Sequence, residues 1–296
     1  MTVISAAAAP PSPPADATQN AGPNFGSGSA PQQASLDVLR ERLRELSPVV
    51  VAFSGGADSA FLAWVAHDTL GAGGAHAVTA VSPSLAPEEE ADCAALAGEW
   101  GLQWTPVLTG ELANPDYAAN DGSRCYWCKA ELMSAVAPMA GVAGATVVLG
   151  VNLDDLGDHR PGQIAAAEAG AAFPLLDAGF TKSDVRSWSQ RLGLRTWDKP
   201  AAACLASRVP YGTPVSLGVL ESVAKAESAL RTLGFRQLRV RHYGDLARIE
   251  IDRPEMARAF EAREEIVTAV KAAGYTYVTL DLEGFRSGNL NGGLGR

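Results

Sequence analysis

One short stretch constrains the chain more than any other: Pro48-Val49-Val50-Val51-Ala52-Phe53-Ser54-Gly55-Gly56-Ala57-Asp58-Ser59. Val49 to Phe53 form an unbroken run of β-branched, small and aromatic residues, the pattern of a strand buried on both faces in a parallel sheet. Gly55 and Gly56 then let the backbone turn sharply with its N–H groups exposed. Asp58 and Ser59 are suited to cap the helix that follows, and a helix start with free N–H groups and hydroxyls is a site for phosphate.

The segments on either side follow the same alternation. Ser35–Leu46 carries a helical stripe of Leu36, Val38, Leu39, Leu43 and Leu46, and Ser59–Leu70 reads as the helix after the central strand. Strands are expected at 77–82, 104–108 and 146–151. Helices are expected from Pro87, over 125–140, over 162–169, and after Thr181 as N-cap. Alternation of this kind as far as residue 195 predicts an α/β chain with a doubly wound parallel sheet. After Tyr211-Gly212-Thr213-Pro214 the pattern changes to a helix over 217–233, a hairpin around Tyr243-Gly244-Asp245, a helix over 254–273 and a strand over 275–282. This predicts a smaller C-terminal α+β domain. The expected divisions are a disordered Ala/Pro/Ser/Gly-rich tail at 1–34, a main domain at 35–208, the small domain at 209–286 and a flexible Gly/Asn-rich end at 287–296.

Composition narrows the function. A net charge of −9 over 296 residues argues against a surface that coats nucleic acid, so no nucleic-acid partner is expected. No apolar run approaches the roughly 20 residues of a membrane span, and the start lacks a signal-peptide pattern, so no membrane partner and a cytoplasmic location are expected. The 4 cysteines are too few for a disulfide scaffold, and their positions matter more than their number.

The loop is not a Walker loop, because no Lys-Ser/Thr follows its glycines, and it lacks the glycine spacing of a dinucleotide fingerprint. Ser54-Gly55-Gly56-Ala57-Asp58-Ser59 instead resembles SGGxDS, the PP-loop of the ATP pyrophosphatases, in the strand-to-helix context that motif needs. The resemblance implies a PP-loop (HUP-like) fold and cleavage of ATP between its α- and β-phosphates. The backbone N–H groups and the hydroxyls of Ser54 and Ser59 would hold the pyrophosphate, and Asp58 would lie near a Mg²⁺. A substrate oxygen becomes adenylated, and a nucleophile then displaces AMP.

Cysteine is the candidate nucleophile. Cys125-Tyr126-Trp127-Cys128 places two thiols on one face of a helix start, where the readings are a redox pair, half a zinc site, part of an iron–sulfur site, or two small core residues. Cys204 lies in Lys199-Pro200-Ala201-Ala202-Ala203-Cys204-Leu205-Ala206-Ser207-Arg208, too small and irregular for a core helix, where a cation such as Arg208 would favour a thiolate. Cys93, beside Ala94, Ala95 and Leu96, reads as core filler. Arg239 and Arg241 flank Val240 on a strand, so both guanidinium groups share a face suited to phosphate, or to solvent. Asp154, Asp155, Asp158 and Arg160 crowd the end of a strand, where ligands bind in open α/β sheets.

Gly150–Gly162, Trp197–Arg208 and Arg239-Val240-Arg241-His242 resemble the signatures of the LarE family, ATP-dependent sulfur transferases that make the nickel-pincer nucleotide of lactate racemase. The resemblance runs from residue 35 to 290. It implies a small nucleotide substrate, pyridinium-3,5-biscarboxylic acid mononucleotide, whose carboxylates are adenylated and converted to thiocarboxylates. In one branch of the family the sulfur is torn from the cysteine matching Cys204, leaving dehydroalanine. In another, three cysteines hold a [4Fe–4S] cluster that carries a sulfide on its open iron. Cys125, Cys128 and Cys204 reproduce the three-thiol pattern, so the expectation is a cluster alongside ATP and Mg²⁺. The resemblance further assigns Arg239 and Arg241 to the substrate phosphate, with Ser207 and Arg208 lining the same site. It makes Glu227 an acid near the thiol, able to remove a proton or merely exposed on its helix.

Three other functions compete. A tRNA sulfur transferase would share the loop and cysteines, against which the negative charge and the lack of an added RNA-binding module weigh. An ammonia-using amide synthetase would not need Cys204. A nucleotide-sensing domain would release no pyrophosphate. Homo-oligomerisation through the small second domain is left open.

Overall fold

The computed structural model describes residues 34–157, 161–200 and 203–286. The expected end at 287–296 and all but one residue of the expected tail at 1–34 lie outside these residues. So do Asp158, Arg160, Ala201 and Ala202.

Helix α1 (Leu36–Leu46) leads into β1 (Val49–Ala52), α2 (Ala57–Leu70), β2 (Ala75–Val81), α3 (Pro87–Trp100) and β3 (Gln103–Leu108). A short helix α4 (Pro115–Ala118) and the long α5 (Arg124–Ala143) precede β4 (Thr146–Val148), after which come α6 (Pro161–Glu168), α7 (Pro174–Asp177) and α8 (Lys182–Arg191). The four strands are all parallel in the order β3-β2-β1-β4, so the apolar run is interior to the sheet, as expected of a doubly wound fold.

Alternation along β1 distributes its side chains between two cores. Val49, Val51 and Phe53 pack with α1, α2 and Cys93 and Leu96 of α3, while Val50 packs with Leu132, Met133 and Val136 of α5. Each such side chain contributes about 1.5–3 kcal/mol by leaving water. Helix α2 is apolar on every side and buries Ala60, Phe61, Leu62, Ala63, Val65 and Ala66, the signature of a helix enclosed by others. Cys93 is fully buried in this core, as core filler should be.

A 3-10 turn at Leu205–Arg208 leads to α9 (Leu217–Thr232), β5 (Leu238–Tyr243) and β6 (Leu246–Ile251). Then follow α10 (Met256–Glu261), α11 (Arg263–Ala272) and β7 (Tyr277–Leu280). Strands β5 and β6 form the antiparallel hairpin the sequence announces, and β7 adds parallel to β6. Ala226 and Leu230 of α9, Val240, Ile249 and Ile251 of the sheet, and Ile266 and Val270 of α11 form the core of this smaller mixed-sheet domain.

Three expectations are adjusted. The helix expected over 254–273 is two helices, because the backbone leaves helical geometry at Ala262 (φ −86, ψ 20). The fourth strand stops at Val148, three residues short of 151, where Val148 bridges Ala172 in parallel and Leu149 N–H bonds to the Ala172 carbonyl (3.1 Å). The helix expected from Ser59 begins at Ala57, with Gly56 as N-cap and no side-chain capping bond. Asp58 and Ser59 therefore do not cap it; both lie within its first turn.

Candidate active site

The loops that follow β1, β2, β3 and β4 all emerge at the carboxyl end of the sheet, where ligands bind in open α/β folds. Gly55 takes a left-handed conformation (φ 69). A β-carbon there would sit 2.8 Å from the Cys93 sulfur and 3.7 Å from the Lys199 ammonium, so the loop lies flat against α3 and the 197–200 segment. Ser59 is buried, and its hydroxyl donates to the Gly56 carbonyl (3.1 Å) while its oxygen accepts from Ser54 N–H (3.2 Å) and lies 3.0 Å from the Ser54 hydroxyl. Ser59 thus closes the loop from within, and Ser54 is the exposed hydroxyl. The uncapped first turn of α2 leaves its N–H groups directed into the same space.

Asp58 accepts from the Asn152 side chain (3.0 Å), and its carboxyl is held above the usual range, first by burial and then by the charge of Asp155. Asp155 is itself buried, accepts from Asn152 N–H (3.1 Å) and pairs with Lys182 (3.2 Å). Asp154 accepts from the Lys182 N–H (2.5 Å) and so serves the start of α8. An acid whose charge is disfavoured by burial and by a neighbouring carboxylate suits a Mg²⁺ that takes one or two carboxylates and completes its shell with phosphate oxygens and water. Gly150 is where this loop meets α2: a β-carbon there would lie 2.9 Å from both the Asp58 carbonyl carbon and the Ser59 nitrogen.

Cys204 is exposed and precedes the 3-10 turn. Leu205 N–H bonds to the Ser84 carbonyl (2.8 Å) beyond β2, and the Ser84 hydroxyl is 2.5 Å from the buried Tyr117 hydroxyl. Arg208 is buried and grips Glu227 with two bonds (2.8 and 3.0 Å). Its third nitrogen donates to the carbonyls of Ala203 (2.6 Å) and Cys204 (3.0 Å) and to the Ser207 hydroxyl (3.0 Å). Arg208 therefore fixes the backbone of the cysteine turn. All three of its nitrogens are engaged by these oxygens.

Glu227 is fully buried, not exposed on its helix. Besides Arg208 it accepts from Val240 N–H (3.0 Å) and Arg231 (3.0 Å). Burial alone would raise its pKa, but the Arg208 charge and these bonds outweigh that and hold the carboxyl below its ordinary value. A carboxylate engaged by four donors is a poor proton acceptor and a good anchor.

Arg241 is buried, donating to the Ser207 carbonyl (2.9 Å) and pairing with Glu250 (2.8 Å). Arg239 is half-buried, 5.1 Å from the Phe285 ring centroid, and pushed down to about 10 by burial and then by the positive charge of Arg208, with Arg241 also contributing. The two arginines lie opposite Val240, which faces the core. Of the two, Arg239 is the part-exposed cation, while the charge of Arg241 is met by Glu250 inside the fold.

Sequence reasoning missed Asn120, Tyr117 and Arg124. Asn120 is fully buried at a positive φ of 56, and its amide donates to the carbonyls of Val209 (3.3 Å), Pro210 (2.9 Å) and Thr213 (2.8 Å). Its oxygen receives Arg124 (2.5 Å), which also donates to the Ala206 carbonyl (2.8 Å). Arg124 is the buried cation that lies within electrostatic reach of Cys204 and Cys125, and despite burial its charge is favoured by them. The Asn120-Asp121-Gly122 turn signal was the only hint of this arrangement.

The expected iron–sulfur cluster is overturned. Among the described residues no group of three or more His, Cys, Asp or Glu is placed to hold a metal ion, Cys125, Cys128 and Cys204 included. Cys128 packs against the apolar cluster of Tyr117, Leu205 and Val209, and its thiol is pushed up to about 12, chiefly by burial and then by the charge of Cys204. Cys125 is exposed on the same helix start, and one helix turn of spacing does not give the two thiols a common environment.

No helix of the described residues is long and apolar enough to cross a membrane.

A parallel sheet whose interior strand runs through Ser-Gly-Gly-Ala-Asp-Ser into a helix defines a protein of the PP-loop ATP pyrophosphatase type. No protein-family model matches the chain. It is 38% identical over 250 residues to pyridinium-3,5-bisthiocarboxylic acid mononucleotide synthase of Lactiplantibacillus plantarum, covering 84% of this chain and 91% of that protein. It is also 47% identical over 263 residues to the uncharacterized protein slr1717 of Synechocystis sp., covering 88% and 97%. A third relative, the uncharacterized protein MJ0830 of Methanocaldococcus jannaschii, is 26% identical over 253 residues. The chain belongs to the family that contains the pyridinium-3,5-bisthiocarboxylic acid mononucleotide synthase.

Proposed function

We propose that this chain is an ATP-dependent sulfur transferase that adenylates the carboxylates of pyridinium-3,5-biscarboxylic acid mononucleotide and converts them to thiocarboxylates. The observation that carries the reading is an exposed thiol, Cys204, on a turn fixed by Arg208, in a chain akin to a synthase of the bisthiocarboxylic acid nucleotide.

In this reading the N–H groups at the start of α2 and the Ser54 hydroxyl bind the pyrophosphate part of ATP. Asp58 and Asp155 would hold Mg²⁺, which supplies neutralisation of phosphate charge. Arg239 and Arg241 orient the substrate through its phosphate, and Ser207 and Arg208 shape the wall between that phosphate and the thiol. The substrate carboxylate attacks the α-phosphorus, giving an acyl adenylate and pyrophosphate. The Cys204 sulfur then attacks the acyl carbon, AMP leaves, and a thioester joins protein and substrate. Loss of the Cα proton to solvent and of the Cβ–S bond electrons to sulfur releases the thiocarboxylate and leaves dehydroalanine at position 204. Arg124 offers the nearby positive charge that a sulfur nucleophile and an acyl oxygen both need.

The test is incubation with ATP, Mg²⁺ and the biscarboxylic acid mononucleotide, with thiocarboxylate and intact protein followed by mass spectrometry. The expected result is pyrophosphate, AMP, thiocarboxylate and a protein lighter by the mass of H₂S. The Cys204→Ser variant is expected to release pyrophosphate while forming no thiocarboxylate. Thiocarboxylate formed by that variant, or amide formed with ammonia in its place, would overturn the reading.

A further inference from the structure

The phosphate loop contains no lysine or arginine, although the pyrophosphate it receives carries several negative charges. In a Walker loop the lysine is supplied by the loop itself; here a cation must come from elsewhere in the fold. Lys199 meets that need in position. Its ammonium lies 3.7 Å from where a β-carbon of Gly55 would stand, directly against the loop. It is bonded to Glu89 (2.8 Å) and Asp92 (2.6 Å), both on α3, and its side chain is only 17% exposed.

The surroundings keep the backbone of Lys199 in place while leaving its side chain an exchangeable set of partners. Arg186 of α8 donates to the carbonyls of Trp197 (3.2 Å) and Lys199 (3.3 Å), and Lys199 N–H bonds to the Thr196 carbonyl (3.1 Å). Asp92 has a second cation, Arg195 (2.7 Å), so its charge stays paired if Lys199 leaves. Glu89 sits near the start of its helix, where a negative charge is favoured. The other lysine near the loop, Lys182, is already paired with Asp155. Burial works against the Lys199 charge, and the two carboxylates more than restore it, so it reaches the loop as a full cation.

We propose that Lys199 is the cation of the pyrophosphate site: when a nucleoside triphosphate binds, its ammonium exchanges Glu89 and Asp92 for oxygens of the β- and γ-phosphates, and it holds pyrophosphate after cleavage. This rests on the ATP-cleaving reading above. The exchange replaces one pair of anionic partners by another, so no charge is left buried alone. It also requires glycine at position 55, since a side chain there would stand between ammonium and loop.

The experiment uses the full chain and measures binding of Mg-pyrophosphate and of AMP by calorimetry. AMP lacks the β- and γ-phosphates and so does not sense the ammonium. Lys199→Met is expected to weaken pyrophosphate binding by about tenfold or more, the value of a lost charge-assisted bond, and AMP binding less than about twofold. Glu89→Gln combined with Asp92→Asn frees the ammonium and is expected to tighten pyrophosphate binding. A folded Lys199→Met protein that binds pyrophosphate like wild type, or that loses both ligands equally, overturns the proposal. If Lys199→Met does not fold, the double variant decides, and unchanged or weaker pyrophosphate binding there overturns it. A wild-type protein that binds neither ligand would instead overturn the ATP-cleaving reading beneath it.

Discussion

Replacing Gly150 by alanine should damage the phosphate site through the backbone of Asp58 and Ser59, with every side chain that meets ligand left intact. The added β-carbon would lie 2.9 Å from the Asp58 carbonyl carbon, 2.9 Å from the Ser59 nitrogen and 3.0 Å from the Asp58 oxygen. Ordinary contact begins at 3.4 Å, so the loop after β4 and the first turn of α2 must separate by at least 0.5 Å. All three atoms are backbone, so no side chain can swing away, and overpacking of this kind costs about 1–3 kcal/mol. For a domain of this size that lowers Tm by roughly 2–4 °C per kcal/mol. Half an ångström is also about the tolerance of a preorganised site, so pyrophosphate release should fall by roughly tenfold. The same substitution at Gly98, exposed in α3 with nothing within 4 Å of the new atom, should stabilise the protein by about 0.4–1 kcal/mol and leave pyrophosphate release unchanged. Chemical denaturation and a pyrophosphate-release assay on both variants measure the two effects. Wild-type stability and activity in Gly150→Ala would refute the claim that this backbone approach sets the loop.

Two further outcomes follow from the buried arginines. Glu227→Gln should destabilise by about 3 kcal/mol at neutral pH, because Arg208 loses its charged partner in a closed site. Since the Glu227 carboxyl sits below its ordinary value in the folded protein, its contribution is complete above the unfolded value of 4.5 and is lost as pH falls through the lowered folded value. The variant should therefore show a shallower loss of stability on acidification, read from denaturation curves between pH 7 and pH 3. Arg124→Met should slow thiocarboxylate formation by about 10² while slowing pyrophosphate release much less, because its charge lies at Cys204 and not at the phosphate loop. Equal slowing of both steps would refute that placement.

The sheet and its phosphate loop were legible because their signals are local. An apolar run flanked by glycines specifies a buried strand and a tight turn whatever surrounds it, and β1, β2, β3 and the β5–β6 hairpin lie within two residues of where the sequence put them at either end. The thiols were less legible for the opposite reason. Their spacing places Cys125 and Cys128 on one helix start, but the environment of Cys128 is decided by Tyr117, Leu205 and Val209, which arrive from elsewhere in the chain. Glu227 was equally undecidable: in sequence it is one more acid on an amphipathic helix, and only the arrival of Arg208 and Val240 N–H buries it. Asn120 and Arg124 fall in or next to a connection without periodicity between β3 and α5, so no pattern marked them, although they bind the segment that carries Cys204.

The turn that carries Cys204 is tied to both sheets at once. Leu205 is bonded to the loop beyond β2, while Ser207 and Arg208 are bonded to Arg241 of β5 and Glu227 of α9. Parting this turn from the small domain would break the buried Arg208–Glu227 ion pair and the Arg241–Ser207 bond, and parting it from the large domain would break the Leu205–Ser84 backbone bond. The thiol is thus held from both sides, like the jaw of a caliper locked at manufacture.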